Sequence, residues 1–114
     1  MQIQVNTDNN VDSGDQLTKL VEDGIEMALG PQSMRITRVD VHFGDESAGR
    51  ATEADMKCMI EVRPASHEPV VVTDHASTTE EAFHGAVDKM QHLLASLFGK
   101  LDDRHPGQPS GKRS

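Results

Sequence analysis

The apolar residues of this chain switch between two periods along its length, and the order of the switches restricts the fold to a few choices. A repeat of two marks a half-buried strand, and a repeat of about 3.6 marks a helix with one buried stripe. Ile3 and Val5 alternate with Gln2 and Gln4, which predicts a short strand. In the polar run NTDNNVDSGD, Asp12 or Ser13 is placed to cap a helix. Leu17, Leu20, Val21, Gly24, Ile25 and Ala28 then share one helical stripe, with Lys19, Glu22, Asp23 and Glu26 off it. Gly30-Pro31 ends this helix: Gly30 suits a left-handed cap, and Pro31 cannot continue the ladder.

From Ile36 to Phe43 the period returns to two. Thr37, Val39, Val41 and Phe43 face one way, and Ile36, Arg38, Asp40 and His42 face the other. The polar segment GDESAGRATEAD reads as a hairpin loop. The next alternating run turns Met56, Cys58, Ile60 and Val62 inward and Lys57, Met59, Glu61 and Arg63 outward. Pro64 to Pro69 form a turn, and Val70 to Thr73 a short strand. Ser77-Thr78-Thr79-Glu80 carries the hydroxyl-to-carboxylate spacing of a capping box. From there Phe83, Ala86, Val87, Met90, Leu93, Leu94, Leu97, Phe98 and Leu101 continue one stripe for about seven turns.

The order β-α-β-β-β-α predicts an α+β fold of two layers. A helical crossover makes the first two strands parallel, and short turns make the rest antiparallel, giving a four-stranded mixed sheet. Each helix has one apolar stripe, so both cover the same sheet face. The other face stays open and carries Arg38, Asp40, His42, Lys57, Glu61 and Arg63. A chain of 114 residues is one domain, here residues 1–104, and the tail HPGQPSGKRS (105–114) has nothing to bury and is expected to be disordered.

Chemistry-bearing patterns are sparse. The single cysteine, Cys58, sits at an inward strand position and reads as a buried, inert thiol. His84, Asp88 and His92 recur at four-residue spacing and could ligate zinc, but no fourth ligand accompanies them, so a solvated helix face is the reading adopted. No nucleophile elbow, paired Cys and His signature or glycine-rich phosphate loop is present, and Asp45-Glu46 and Asp102-Asp103 are sequence neighbours that cannot face each other across a cleft. The chain is therefore expected to be no enzyme, with no cofactor, metal or small-molecule substrate. The N-terminus lacks the pattern of a secretory signal, and no apolar run is long enough to span a membrane, so a soluble cytoplasmic protein is expected.

Charge bears on partners. Asp and Glu number 19 against 11 Lys and Arg, a formal net charge of −8. RNA affinity comes from clustered Lys and Arg that neutralise phosphates. On the last helix Glu80, Glu81, Asp88, Asp102 and Asp103 outnumber Lys89 and Lys100. Positive charge is denser on the open sheet face, where Arg38, Lys57 and Arg63 stand against Asp40 and Glu61. That face has no aromatic residue to stack bases, which excludes the RRM mode of recognition.

Three segments, MQIQVNTDN, ITRVDVHFGD and TTEEAFHGAVDKMQHLLASLFGKL, carry a resemblance to a known family. Over residues 1–104 the chain resembles the short form of the ribosome hibernation-promoting factor and ribosome-associated inhibitor A family (HPF/RaiA, YfiA-like). Glu81-Ala82-Phe83 stands where that family has an acidic-apolar-tyrosine signature, Ala86 to Lys89 is similar to its AIDK-like segment, and Leu93, Leu97 and Lys100 echo its K-L-x-x-Q-L-x-K ending. Phe83 keeps the ring of the usual tyrosine without its hydroxyl, and the last helix is more acidic than in the family. The resemblance implies a domain shaped like double-stranded RNA-binding domains. It also implies binding to the small (30S) ribosomal subunit, to 16S rRNA and neighbouring proteins, where family members occlude the mRNA and tRNA path and hold ribosomes inactive during stress. On that reading Arg38, Lys57, Lys89, Lys100 and Arg104 are the expected phosphate contacts. The alternative is an acidic paralogue that binds a basic protein partner in place of rRNA.

Overall fold

The computed structural model describes residues 1–8, 14–45 and 56–103. Its elements are β1 (Gln2–Thr7), α1 (Asp15–Leu29), a 3-10 segment (Gly30–Arg35), β2 (Ile36–Asp45), β3 (Met56–Pro64), β4 (Val70–Ala76) and α2 (Thr79–Asp103). The expected cap at Asp12 or Ser13, most of the hairpin loop, Arg104 and the tail lie outside the described residues. The strands line up in chain order, β1 parallel to β2 and the other neighbours antiparallel. This is the two-layer α+β arrangement expected from the periodicity.

One face of the sheet and the inner stripes of both helices make the core. Val39, Val41 and Phe43 of β2, Cys58, Ile60 and Val62 of β3, Val21 and Ile25 of α1, and Phe83, Ala86 and Met90 of α2 are all 0% exposed. Leu94 and Phe98 extend the α2 stripe toward its C-terminal end. Phe83 packs at a tilt on Phe43, with ring centroids 6.2 Å apart, a spacing favoured by aromatic pairs. On its other side the same ring meets α1 at Gly24: a β-carbon there would lie 2.6 Å from Phe83 Cε2. Gly24 is therefore the point of close approach between the helices.

Local departures from the expected pattern have identifiable causes. The register shifts between Ile36, which pairs with Pro64, and Arg38, which pairs with Arg63. Thr37 is the extra residue of this bulge, so Ile36 turns into the core and Thr37 turns out, the reverse of the plain alternation. The Thr37 hydroxyl donates to the Arg63 carbonyl at 2.9 Å and holds the bulge. Gly30 is right-handed (φ −53°), not a left-handed cap, because the chain tightens into a 3-10 segment. Pro31 is tolerated at the start of that segment, where no N–H is needed. The cap of α2 sits one residue later than expected: Thr78 Oγ1 accepts from the Glu81 N–H at 3.1 Å, and the Ser77 hydroxyl donates to the Glu81 carboxylate at 2.9 Å.

β4 runs on to Ala76 because Asp74, a polar residue at an inward position, is satisfied within the fold. It pairs with Cys58 across the sheet, and its carboxylate takes an ion pair from Lys89 at 3.2 Å. Gly85 makes room for it, since a β-carbon there would overlap the Asp74 carboxylate. Burial, and then the charge of Asp74, push the Cys58 thiol up to about 12. At neutral pH it is therefore a protonated core residue and a poor nucleophile.

Two outcomes follow from this packing. Gly24→Ala forces a methyl into the boxed-in Phe83 ring, and we expect a net loss of about 1–2 kcal/mol despite the better helix propensity. Gly99→Ala, where nothing lies within 4 Å, should gain about 0.5–1 kcal/mol. Urea melts of the two variants check both signs. At pH 8, Cys58 of the folded chain should resist an aromatic disulfide reagent and react only on unfolding; rapid labelling of the folded state would contradict its burial.

Candidate nucleic-acid interface

Because both helices cover one face of the sheet, the other is open and its side chains form cross-strand rows. At one end Gln2, Arg38 and Arg63 share a row. Gln4, Asp40, Glu61 and Val71 follow, then Asn6, His42, Met59 and Thr73, then Gly44, Lys57 and His75. Arg38 and Arg63 are thus direct neighbours on adjacent strands, and Asp40 and Glu61 are direct neighbours one row on.

Like charges directly opposite each other destabilise a sheet. Here each arginine is compensated along its own strand. Arg38 Nε donates to both Asp40 carboxylate oxygens at 2.9 and 3.1 Å, and Arg38 Nη2 donates to Gln4 Oε1. Arg63 Nε lies 3.8 Å from Glu61 Oε2, an ion pair too long for a hydrogen bond. Farther along, His42 Nε2 lies 3.1 Å from Asp8 Oδ1.

The helix layer has the opposite balance. α1 carries Asp15, Glu22, Asp23 and Glu26 against Lys19, whose ammonium lies 3.4 Å from Asp23. α2 carries Glu80, Glu81, Asp88 and Asp102 against Lys89 and Lys100. Arg35 closes the far end of α2, with its guanidinium 4.2 Å above the Phe98 ring and hydrogen-bonded to both Asp102 oxygens at 3.1 and 3.4 Å. Among the described residues, acidic side chains are therefore denser on the helix layer than on the open face.

The expected phosphate contacts are divided between the two sides. Arg38 and Lys57 stand on the open face. Lys89 is on the helix layer, its ammonium donating to the Thr73 carbonyl at 2.9 Å as well as to Asp74. Lys100 is exposed near the end of α2, and Arg104 lies outside the described residues. Arg63 is the cation that charge counting placed on this face without making it a phosphate contact. Alternation put Arg63 on this face, but even counting outward from the polar loop at 44–55 pairs Arg38 with Glu61, so its place beside Arg38 is read from the register alone.

The metal-like triplet does not converge on one point. His84 pairs with Glu80 at 3.9 Å, while His92 lies 3.9 Å from the Asp88 carboxylate and 2.8 Å from its backbone carbonyl. Among the described residues no group of three or more His, Cys, Asp or Glu side chains is placed to hold a metal ion. No described helix is long and apolar enough to cross a membrane.

Comparison with known proteins agrees with the resemblance drawn from the sequence. The structure is similar to a ribosomal subunit interface protein from Coxiella burnetii, at 14% identity and a TM-score of 0.73, over 87% of this chain and 99% of that one. It is also similar to the N-terminal domain of Protein Y from Thermus thermophilus, at 16% identity and a TM-score of 0.68, over 85% of this chain and 99% of that one. At these identities the likeness speaks for the fold. No curated protein matches the chain by sequence. A model of one family, described as sigma 54 modulation protein / S30EA ribosomal protein, matches residues 3–102, which takes in all but the outermost residues of the sheet and both helices. The chain belongs to that family, a ribosome-associated and non-enzymatic one.

Proposed function

We propose that this chain is a ribosome-associated translation inhibitor that binds the small subunit and occludes the mRNA and tRNA path, holding ribosomes idle under stress. The observation that carries this reading is the family match from residue 3 to residue 102. The similarity to a subunit interface protein supports it at the level of fold. Occlusion needs no catalytic group: phosphate contacts position a rigid domain, and its bulk blocks the path. Arg38, Lys57, Lys89, Lys100 and Arg104 are the candidates for phosphate contacts in this reading, and one RNA surface can engage only those that share a side of the domain. The cytoplasm, where ribosomes work, is its location. Neither the family nor the structural neighbours support the other reading, a basic protein partner in place of rRNA.

Cosedimentation with purified 30S subunits tests the proposal. The chain should pellet with 30S at about 50 mM salt and be released as salt approaches about 200 mM, because counterion release makes such complexes salt-sensitive. The same preparation should slow translation in a reconstituted system. A chain that stays in the supernatant at low salt would overturn the proposal.

A further inference from the structure

The division of charge in the fold says which side can meet RNA. A phosphate brought to the helix layer faces Asp15, Glu22, Asp23 and Glu26 on α1 and Glu80, Glu81 and Asp88 on α2, while Lys19 and Lys89 are already engaged with Asp23 and Asp74. A phosphate brought to the open sheet face meets Arg38 and Arg63 side by side at one end of the sheet.

Resting on the ribosome-binding reading, we propose that the open sheet face is the RNA-facing surface of this protein and that Arg38 and Arg63 together hold a backbone phosphate. Three observations support the pair. First, they are register neighbours, which puts the two guanidiniums within reach of one anion. Second, donors remain. Asp40 and Gln4 take Nε and Nη2 of Arg38, and Glu61 sits beyond hydrogen-bond range of Arg63. A guanidinium has five N–H donors in a fork that matches phosphate geometry. Third, both side chains reach solvent, at 38% and 53% exposure.

The same face also defines the class of RNA. The three Phe are all buried, and the chain has no Tyr or Trp. Of the imidazoles on that face, His42 is held by Asp8, and His75 is likewise engaged. With no Phe, Tyr or Trp on it, the surface lacks the aromatic platform on which single-stranded bases are usually stacked. It offers the arginine pair flanked by neutral Gln2, Gln4 and Asn6, which suits the phosphates and hydroxyls of folded RNA.

The test measures 30S binding against salt for wild type, Arg38→Gln/Arg63→Gln, Arg63→Gln alone, and the helix-layer control Lys19→Gln, which removes only an exposed ion pair with Asp23. Thermal melts establish that each is folded. Arg63→Gln removes only a long surface ion pair, so it keeps the test valid if the double variant melts early. We expect about a tenfold or greater loss of affinity for the double variant, a partial loss for Arg63→Gln, and a salt slope shallower by about one per lost phosphate contact. The control should bind like wild type. The proposal is overturned if the control loses as much as the arginine variants, if folded Arg63→Gln binds like wild type, or if wild type prefers a single-stranded homopolymer to 30S. Failure of wild type to bind 30S at low salt would instead remove the ribosome reading on which the proposal rests.

Discussion

The seat of Phe83 is the contact on which the rest of the fold depends. The chain has very few aromatic residues, and this ring joins three elements at once. It lies on Phe43 of the sheet, belongs to α2, and presses its edge against Gly24 of α1. Around it the core is aliphatic, filled by Val, Ile, Leu and Met from both helices and two central strands. A flat ring against a side-chain-free point lets the two helices lie close together over one sheet face. The other face stays uncovered for the same reason.

That one-sided covering decides the electrostatics. The acids of α1 and α2 lie off the apolar stripes, so they must emerge on the outer side of the helix layer. The arginines of β2 and β3 alternate with core residues, so they must emerge on the opposite side. A net charge of −8 thus describes neither surface. The conflict between an acidic chain and a ribosome-associated family eases once charge is assigned to faces. On the open face Arg38, Lys57 and Arg63 match Asp8, Asp40 and Glu61, and an incoming phosphate meets a local arginine pair there.

Element order, strand pairing and the two-layer packing were all legible in the periodicity, since long apolar repeats survive local exceptions. The exceptions were polar or single-residue events. Thr37 inverts the phase at the start of β2 because one extra residue opens a bulge, which no alternation rule signals. Asp74 hid the second half of β4, because an inward carboxylate looks like the end of a strand until Lys89 and Gly85 are seen to accommodate it. The α2 cap slipped by one residue because Ser77-x-x-Glu80 and Thr78-x-x-Glu81 have the same spacing, and only backbone geometry chooses between them. The binding face was half legible: alternation placed Arg38, Lys57 and Arg63 on it, but that Arg38 and Arg63 are direct neighbours required the register.

The sequence by itself determined the class of fold, the family resemblance and the absence of a catalytic pattern, because these rest on residue type and spacing along the chain. Only the tertiary structure decided which cations on the open face are neighbours and which others are already engaged. Arg38 and Arg63 are far apart in sequence and adjacent across a strand pair, whereas Lys89, equally basic on paper, is engaged by the Asp74 carboxylate and the Thr73 carbonyl. Charge adds up along a chain, but an incoming phosphate meets only what the fold has placed on one face.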